Sequence, residues 1–338
     1  MADPVQWGNQ KQTPGLVYGI LAGLGLDSKC KRTGAALMSA RFQKHYTQPV
    51  SQVTRADCQE LLQMALAEDA PAGDPAAEAL FDPTVISRAR LVSREKGVAA
   101  GLAVLPFLFE LWHTQSGRGV QYQMHCKDGA EFGPGSVLAE LQAATVDLLR
   151  LERIILNMLQ YLSGIASVTA TTVALAGDQI AILDTRKTLP GYRRLAKYAV
   201  FCGGGSNHRI SLSDMAMIKD NHVAAAGGIQ AAVTKLRARY PDIPLNVEVD
   251  TLDQLAELLE LPEQTDVVLL DNMGRAQIDQ ALQMIQQSGR AIFVELSGGW
   301  TPERLTELHG LGNLGISMGF LTHTTRFLDI SMELQSDD

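Results

Sequence analysis

Six short, strongly apolar segments after residue 178 constrain the fold of this chain more than any other feature. They are predicted strands over residues 180–183, 215–218, 245–249, 267–270, 291–296 and 314–317. Helical patterns follow most of them, over residues 252–259, 275–287, 302–308 and from Thr324 onward. Because strands that alternate with helices form parallel sheets, the pattern favours an α/β barrel. Six strands are fewer than the eight of a complete barrel, so either the barrel is incomplete or the pattern misses strands.

The chain before residue 178 is organised differently. Helical periodicity and predicted strands alternate without a regular repeat, at residues 58–68, 89–93, 99–112 and 120–127. This mixture predicts a small α/β domain over residues 51–150. A long helix is predicted over residues 153–176, with Gly164 as the candidate position for a break. The first 50 residues lack sustained periodicity and are expected to form a loosely held extension.

Composition and charge exclude several classes of protein. The net charge of −8 argues against a general nucleic-acid-binding surface. We expect no membrane span or secretory signal, because no apolar run reaches about 18 residues and residues 15–26 lack a signal's basic start and cleavage site. Four dispersed cysteines suggest neither a zinc site nor a disulfide framework and fit a reducing cytoplasm best. These are Cys30, Cys58, Cys126 and Cys202.

Polar side chains collect where the predicted barrel strands end. They are Asp184, Arg186, Lys219, Glu248, Asp271, Ser297 and Ser317. The carboxyl ends of barrel strands form one face, and barrel active sites lie on that face. A single polar strand end can simply reach solvent, but six strand ends that carry acids, bases and Ser/Gly groups together indicate a site.

The second signal is a cationic segment between residues 186 and 219 of an otherwise acidic chain. Arg193, Arg194 and Lys197 fall on a predicted helix after Pro190-Gly191, and we assign them to its solvated face. The remaining basic residues lie at strand ends or in loops, and are Arg186, Lys187, His208, Arg209 and Lys219. Their concentration predicts a pocket for an anion rich in carboxylate or phosphate.

Two Ser/Gly loops resemble phosphate cradles. Ser297-Gly298-Gly299 and Ser317-Met318-Gly319 each follow a predicted strand, where free backbone N–H groups can receive a phosphate. Glu248 and Asp271, at neighbouring strand ends, could hold Mg²⁺ and ribose hydroxyls. The residues alone therefore predict a barrel-like enzyme for a polyanionic small molecule and a phosphorylated, metal-bound partner.

Residues 184–191 read Asp-Thr-Arg-Lys-Thr-Leu-Pro-Gly and resemble the signature of quinolinate phosphoribosyltransferases. The likeness continues through residues 197–200, 203–209 and 218–222, and further motifs follow in family order over about residues 55–335. The resemblance implies a small N-terminal α/β sandwich domain over residues 51–150, on which residues 321–338 pack back. It also implies an open or incomplete α/β (TIM-like) barrel over residues 151–320, assembled as a homodimer.

The implied reaction converts quinolinate and phosphoribosyl pyrophosphate into nicotinate mononucleotide, pyrophosphate and CO₂ with Mg²⁺ as cofactor. By resemblance, the quinolinate carboxylates and nearby phosphate are bound by Thr185, Arg186, Lys187, His208, Arg209 and Lys219. Glu248 and Asp271 bind the ribose and metal end, and with Lys187 they are the catalytic candidates. The loops at 297–299 and 317–319 bind the 5′-phosphate, and Arg153 reaches the neighbouring subunit's site.

Three other functions compete with this interpretation. A molybdenum-transport-associated paralogue shares the signature, but the full set of Arg153, Asn207, His208, Arg209, Lys219 and Glu248 favours the enzyme. A phosphoribosyltransferase for nicotinate would bind a monoanion and would need fewer cations than an enzyme that binds the dianion quinolinate. A scaffold without catalysis would not need so many charges at strand ends, because burying them unpaired is costly.

Overall fold

The computed structural model describes residues 49–335, so the predicted extension lies almost wholly outside the described residues. Within this range the strands are β1 (Ile86–Ser93), β2 (Gly97–Val98), β3 (Gln121–Met124), β4 (Glu131–Phe132), β5 (Val137–Ala144), β6 (Ile180–Leu183), β7 (Ala216–Ile218), β8 (Leu245–Val249), β9 (Val267–Asp271), β10 (Phe293–Ser297), β11 (Leu314–Ser317) and β12 (Ile330–Gln335). The helices are α1 (Arg55–Asp69), α2 (Pro75–Leu80), α3 (Leu105–Ser116), α4 (Thr145–Ala176), α5 (Arg193–Cys202), α6 (Asp220–Ala226), α7 (Ile229–Arg239), α8 (Leu252–Glu260), α9 (Arg275–Ser288) and α10 (Phe320–His323). Two short 3₁₀ helices cover Leu102–Val104 and Pro302–Leu308.

The first domain is built on a four-stranded antiparallel sheet in the order β12-β1-β5-β3. The burial of side chains alternates along β1: Ala89 and Leu91 are buried, whereas Arg88 and Arg90 face outward. Arg90 Nε donates to Glu140 Oε1 of the neighbouring strand at 2.9 Å, a cross-strand pair on the outer face. The strand β5 that carries Glu140 was not predicted from the sequence.

The last strand of the chain belongs to this first sheet. Strand β12 pairs antiparallel with β1 from Arg88–Gln335 to Ser93–Ile330. The helix that the sequence predicted from Thr324 onward is therefore wrong. Only four residues form α10, and the chain then extends, because pairing with β1 supplies backbone hydrogen bonds that local periodicity does not reveal.

Helix α4 joins the two domains and runs unbroken for 32 residues. It begins eight residues before the predicted start, so the predicted domain boundary at residue 150 falls inside it. The predicted break at Gly164 is also wrong: a β-carbon at this position would clash with the backbone carbonyl of Arg326, so the glycine provides a close packing contact. By length and composition α4 could cross a membrane, but 67% of its apolar window is buried within the protein, as in a core helix.

The second domain is a six-stranded parallel sheet in the order β6-β11-β10-β9-β8-β7. All six strands were predicted from their apolar runs. The edge strands β6 and β7 do not pair with each other, and a single parallel bridge joins Leu183 to Ser206 beside β6. The barrel is thus open, as expected. Outward side chains such as Val268 and Leu270 pack against the surrounding helices, whereas Leu269 and Asp271 of the same strand face the interior.

Candidate active site

A cavity of about 600 Å³ lies at the carboxyl ends of the barrel strands. It brings together every barrel residue that was predicted to bind substrate, namely Thr185, Arg186, Lys187, His208, Arg209, Lys219, Glu248, Asp271, Ser297, Gly298, Gly299, Ser317, Met318 and Gly319. These side chains come from six strand ends and the loops after them. Parallel strands place their ends at one edge, so residues more than 130 positions apart line one space.

The loop after β6 is fixed by its own hydrogen bonds. The backbone N–H of Lys187 donates to Thr185 Oγ1 at 3.0 Å, and Thr322 Oγ1 donates to the Lys187 carbonyl at 2.7 Å. The backbone that carries Arg186 and Lys187 is therefore held in place, and both residues line the cavity. This arrangement presents two cations at one wall before any ligand binds.

Arg209 lies deeper, with 7% of the residue exposed, and its Nη1 donates to the Met215 carbonyl at 2.9 Å. Burial lowers the pKa of Arg209, and the nearby charge of Arg186 lowers it further, whereas Glu295 and Asp214 oppose both effects. A guanidinium remains protonated even so. Two like charges held close together in a partly buried wall form an electrostatic receptor for a multiply charged anion.

Asp214 organises the loop that follows Arg209. Its carboxylate accepts the Ile210 N–H at 2.8 Å, the Ser211 N–H at 2.9 Å and the Ser211 hydroxyl at 2.8 Å. Burial raises the pKa of Asp214, but the hydrogen bonds from Ser211 and Ile210 and the charge of Lys197 lower it by more, so the net shift is downward. The ionised carboxylate thus holds the loop closed beside Arg209.

Beneath the cationic wall lies a fully buried ion pair between Lys197 Nζ and Asp184. The prediction that Lys197 lies on a solvated helix face is wrong. Asp184 also accepts the Asn207 side-chain amide at 2.7 Å and the His208 N–H at 2.9 Å, while Lys197 donates to the His208 carbonyl at 2.9 Å. Of the other two discounted cations, Arg194 is surface-exposed and pairs with Asp57, whereas half-buried Arg193 donates to Thr188 and to a loop carbonyl.

Two of the three acids that line the cavity, Glu248 and Asp271, stand at neighbouring strand ends. Glu248 is buried and forms an ion pair with Lys219. Asp271 at the end of β9 is half-buried, and its carboxylate accepts the Asn272 side-chain amide at 2.6 Å. Within residues 49–335 no group of three or more His, Cys, Asp or Glu side chains could hold a metal ion. The protein therefore offers two carboxylates here and not a complete metal cage.

The Ser/Gly loop after β10 has a backbone that requires glycine. Gly298 and Gly299 have φ of 81° and 66°, in the left-handed region. A β-carbon on Gly298 would also clash with the Asn272 side chain, whose own backbone N–H donates to the Ser297 carbonyl at 3.0 Å. The two loops at the ends of β9 and β10 are thus packed against each other, and their backbone lies open to the cavity.

Sequence reasoning missed five residues that line the cavity, which are Met217, Leu269, Glu295, Trp300 and Phe320. Glu295 is the most consequential, because it is a fully buried acid in the barrel interior. Its signal was present in the sequence: it lies midway between Phe293 and Ser297 on one strand, and alternate residues of a strand share a face.

Arg153 does not join these residues within one chain. It is exposed on α4 and lines a second cavity of about 190 Å³, together with Glu68, Asp69 and Tyr192. The structure therefore separates Arg153 from the other predicted site residues.

The open barrel, whose mouth brings together clustered cations, Ser/Gly loops and carboxylates, defines an enzyme that acts on an anionic and phosphorylated small molecule. Two family models match the chain: the quinolinate phosphoribosyl transferase N-terminal domain over residues 74–163 and the C-terminal domain over residues 165–333. The chain belongs to the quinolinate phosphoribosyl transferase family.

Relatives agree over almost their full lengths. The chain is 40% identical to the carboxylating nicotinate-nucleotide pyrophosphorylase of Mycobacterium leprae, over 82% of this chain and 99% of the relative. It is 32% identical to a mitochondrial decarboxylating quinolinate phosphoribosyltransferase of Nicotiana glauca, over 91% and 90%. The crystal structure of NadC from Streptococcus pyogenes superposes with a TM-score of 0.78 at 38% identity, over 85% of this chain and 99% of that one.

Proposed function

We propose that the barrel cavity converts quinolinate and phosphoribosyl pyrophosphate into nicotinate mononucleotide, pyrophosphate and CO₂, a step of NAD biosynthesis. The observation that carries the proposal is that one cavity brings together clustered cations, two Ser/Gly loops and the carboxylates of Glu248 and Asp271. The family and the named activities of its relatives agree with this chemistry. None of the relatives described above is a molybdenum-transport protein, so that alternative loses its support.

The cationic wall suits a dicarboxylate. Arg186 and Arg209 lie close enough for each charge to affect the other, and a quinolinate dianion between them would offset that repulsion. Guanidinium groups bind carboxylates through paired hydrogen bonds. Lys187 and Lys219 add positive charge at the rim of the same cavity.

Phosphoribosyl pyrophosphate would bind with its 5′-phosphate on the loops at residues 297–299 and 317–319. Mg²⁺ fits this site as an ion that arrives with the substrate, because it binds readily through one or two carboxylates and phosphate oxygens. Glu248 and Asp271 would supply those carboxylates. The ion would neutralise charge on the leaving pyrophosphate.

The chemistry then needs positioning and charge and no covalent nucleophile. The pyridine nitrogen bonds to the anomeric carbon as the bond to pyrophosphate breaks, and the carboxylates of Glu248 and Asp271 stabilise the positive charge that develops on the ribose. When the bond from C2 to its carboxylate breaks and CO₂ leaves, the electron pair stays on C2, where the positive charge of the adjacent quaternised nitrogen stabilises it. The carbanion at C2 takes up a proton.

A homodimer with shared sites is part of the proposal. Arg153 is exposed and lies outside its own chain's barrel cavity, which supports its insertion into the site of a second copy. We also place the reaction in the cytoplasm. Cys58 and Cys202 are free thiols, as a reducing compartment allows.

The test is to assay nicotinate mononucleotide and pyrophosphate formation with quinolinate and, in parallel, with nicotinate. We expect product from quinolinate alone, and Arg186→Ala to abolish it while the protein stays folded. Arg194→Ala removes a guanidinium outside the cavity and serves as the matched control with unchanged activity. Equal turnover of nicotinate, or normal turnover by Arg186→Ala, would overturn the assignment of the cationic wall.

A further inference from the structure

His208 is held at every polar atom by the protein itself. Its backbone N–H donates to Asp184 and its carbonyl accepts from Lys197, each at 2.9 Å. Its ring Nδ1 accepts the backbone N–H of Arg209 at 2.7 Å. Its ring Nε2 lies 3.2 Å from Glu295 Oε2. A histidine with all four groups engaged is a fixed part of the cavity wall.

These contacts determine where the ring carries its proton. Nδ1 can accept the Arg209 N–H only through its lone pair, so the ring proton lies on Nε2, which faces Glu295 Oε2. Both ring nitrogens of His208 are therefore in contact with protein groups.

Glu295 is placed to impose this arrangement. It lies in the barrel interior one layer below Ser297, is fully buried, and its Oε2 also accepts the Asn246 side-chain amide at 2.9 Å. Its negative charge acts on Arg209 as well, since it opposes the pKa-lowering effects of burial and of Arg186 on that guanidinium. One buried carboxylate thus acts on two adjacent residues of the wall.

We propose that Glu295 is a positioning residue for quinolinate: it orients His208 through Nε2 and, through that ring and its own charge, sets the place of Arg209. The inference rests on the proposed function and deepens it, since it names a residue that selects the geometry of the dicarboxylate wall. The proposed function places phosphoribosyl pyrophosphate on the Ser/Gly loops and at Glu248 and Asp271, so we expect its binding not to depend on this contact.

The kinetic test separates the two substrates. Glu295→Leu removes the acceptor, and we expect it to lower kcat/KM for quinolinate by on the order of 100-fold, since a displaced binding group costs about that much. The KM for phosphoribosyl pyrophosphate stays unchanged. Glu295→Gln keeps an acceptor oxygen, so its kcat/KM for quinolinate should lie within about tenfold of that of the unaltered protein. Thr265→Val, which alters another buried polar side chain of the barrel without contacting His208, is the matched control with unchanged constants.

Glu295→Asp covers the case in which the leucine variant does not fold, because it keeps the charge but withdraws the oxygen from His208. We expect the same selective fall in kcat/KM for quinolinate, through a raised KM for this substrate, with an unchanged KM for phosphoribosyl pyrophosphate. An equal rise in both KM values, a glutamine variant as impaired as the leucine variant, or an aspartate variant with unchanged constants would overturn the proposal.

A second measurement does not depend on turnover. In protein labelled with ¹⁵N-histidine, two-bond ¹H–¹⁵N correlations of His208, assigned by their loss in His208→Gln, should show a protonated Nε2 and an unprotonated Nδ1. Glu295→Leu should lose this fixed tautomer. A proton on Nδ1 in the unaltered protein would overturn the inference even if the enzyme is active. If the enzyme shows no activity, the NMR result still tests the contact between His208 and Glu295, so failure of the inference and failure of the proposed function are distinguishable.

Discussion

The buried pair of Lys197 and Asp184 gives the most demanding test of the physical account. Lys197→Met keeps the volume of the side chain but leaves Asp184 as an uncompensated buried charge. Removing one partner of a buried ion pair costs about 3–5 kcal/mol. Because Asp184 keeps its hydrogen bonds from Asn207 and from the His208 N–H, we expect the lower end, about 3 kcal/mol.

The paired variant separates charge from packing. Asp184→Asn alone leaves the Lys197 cation without its counter-ion and should also cost about 3 kcal/mol. The double variant buries no charge, so it should cost about 3 kcal/mol and not the sum of about 6 kcal/mol. Arg194→Met is the control on the same helix, because its guanidinium is 44% exposed and its pair with Asp57 should contribute about 1 kcal/mol at most.

Urea denaturation at fixed protein concentration, followed by circular dichroism, measures these free energies of unfolding. Strong coupling between the two substitutions supports the account. Costs that add to within about 0.5 kcal/mol would refute the reasoning, because they would mean that the two charges do not depend on each other.

Three further predictions concern assembly, packing and pH. Mixed dimers of Arg153→Ala and Lys219→Ala should recover part of the activity that each lacks alone; no recovery after verified subunit exchange would argue against shared sites. Gly164→Ala should lower the free energy of unfolding by about 1–3 kcal/mol through its clash with the Arg326 carbonyl, and an unchanged midpoint would contradict this. Burial raises the pKa of Asp214, but hydrogen bonds from its loop and a nearby cation lower it by more. This carboxylate therefore stabilises the fold at neutral pH and loses that contribution as pH falls through its lowered pKa. The stability advantage of the unaltered protein over Asp214→Asn should therefore shrink in acid, and a constant difference from pH 7 to pH 3 would contradict the assignment.

The barrel was predictable because its strands carry their own signal. Parallel strands covered on both faces read as continuous apolar runs, and β9 was predicted as residues 267–270 against Val267–Asp271 in the structure. The predicted strands also gave the positions of the strand ends, and these positions predicted the cavity residues Arg186, Glu248 and Asp271.

The wrong predictions concern segments whose structure or burial is determined by residues distant in sequence. The start of α4 at Thr145 has no side-chain cap to mark it. Lys197 looks like a surface residue on any helical pattern, and only Asp184 on a neighbouring strand accounts for its burial. Strand β12 pairs with a partner more than 230 residues earlier. Local periodicity contains none of these contacts.

The central claim, that one cavity transfers the phosphoribosyl group and removes the C2 carboxylate, is tested most directly with quinolinate labelled with ¹³C in that carboxylate. The account predicts release of labelled CO₂ only when phosphoribosyl pyrophosphate and Mg²⁺ are present, with one pyrophosphate and one nicotinate mononucleotide formed for each CO₂. Release of CO₂ without pyrophosphate, or no release from folded protein, would contradict it.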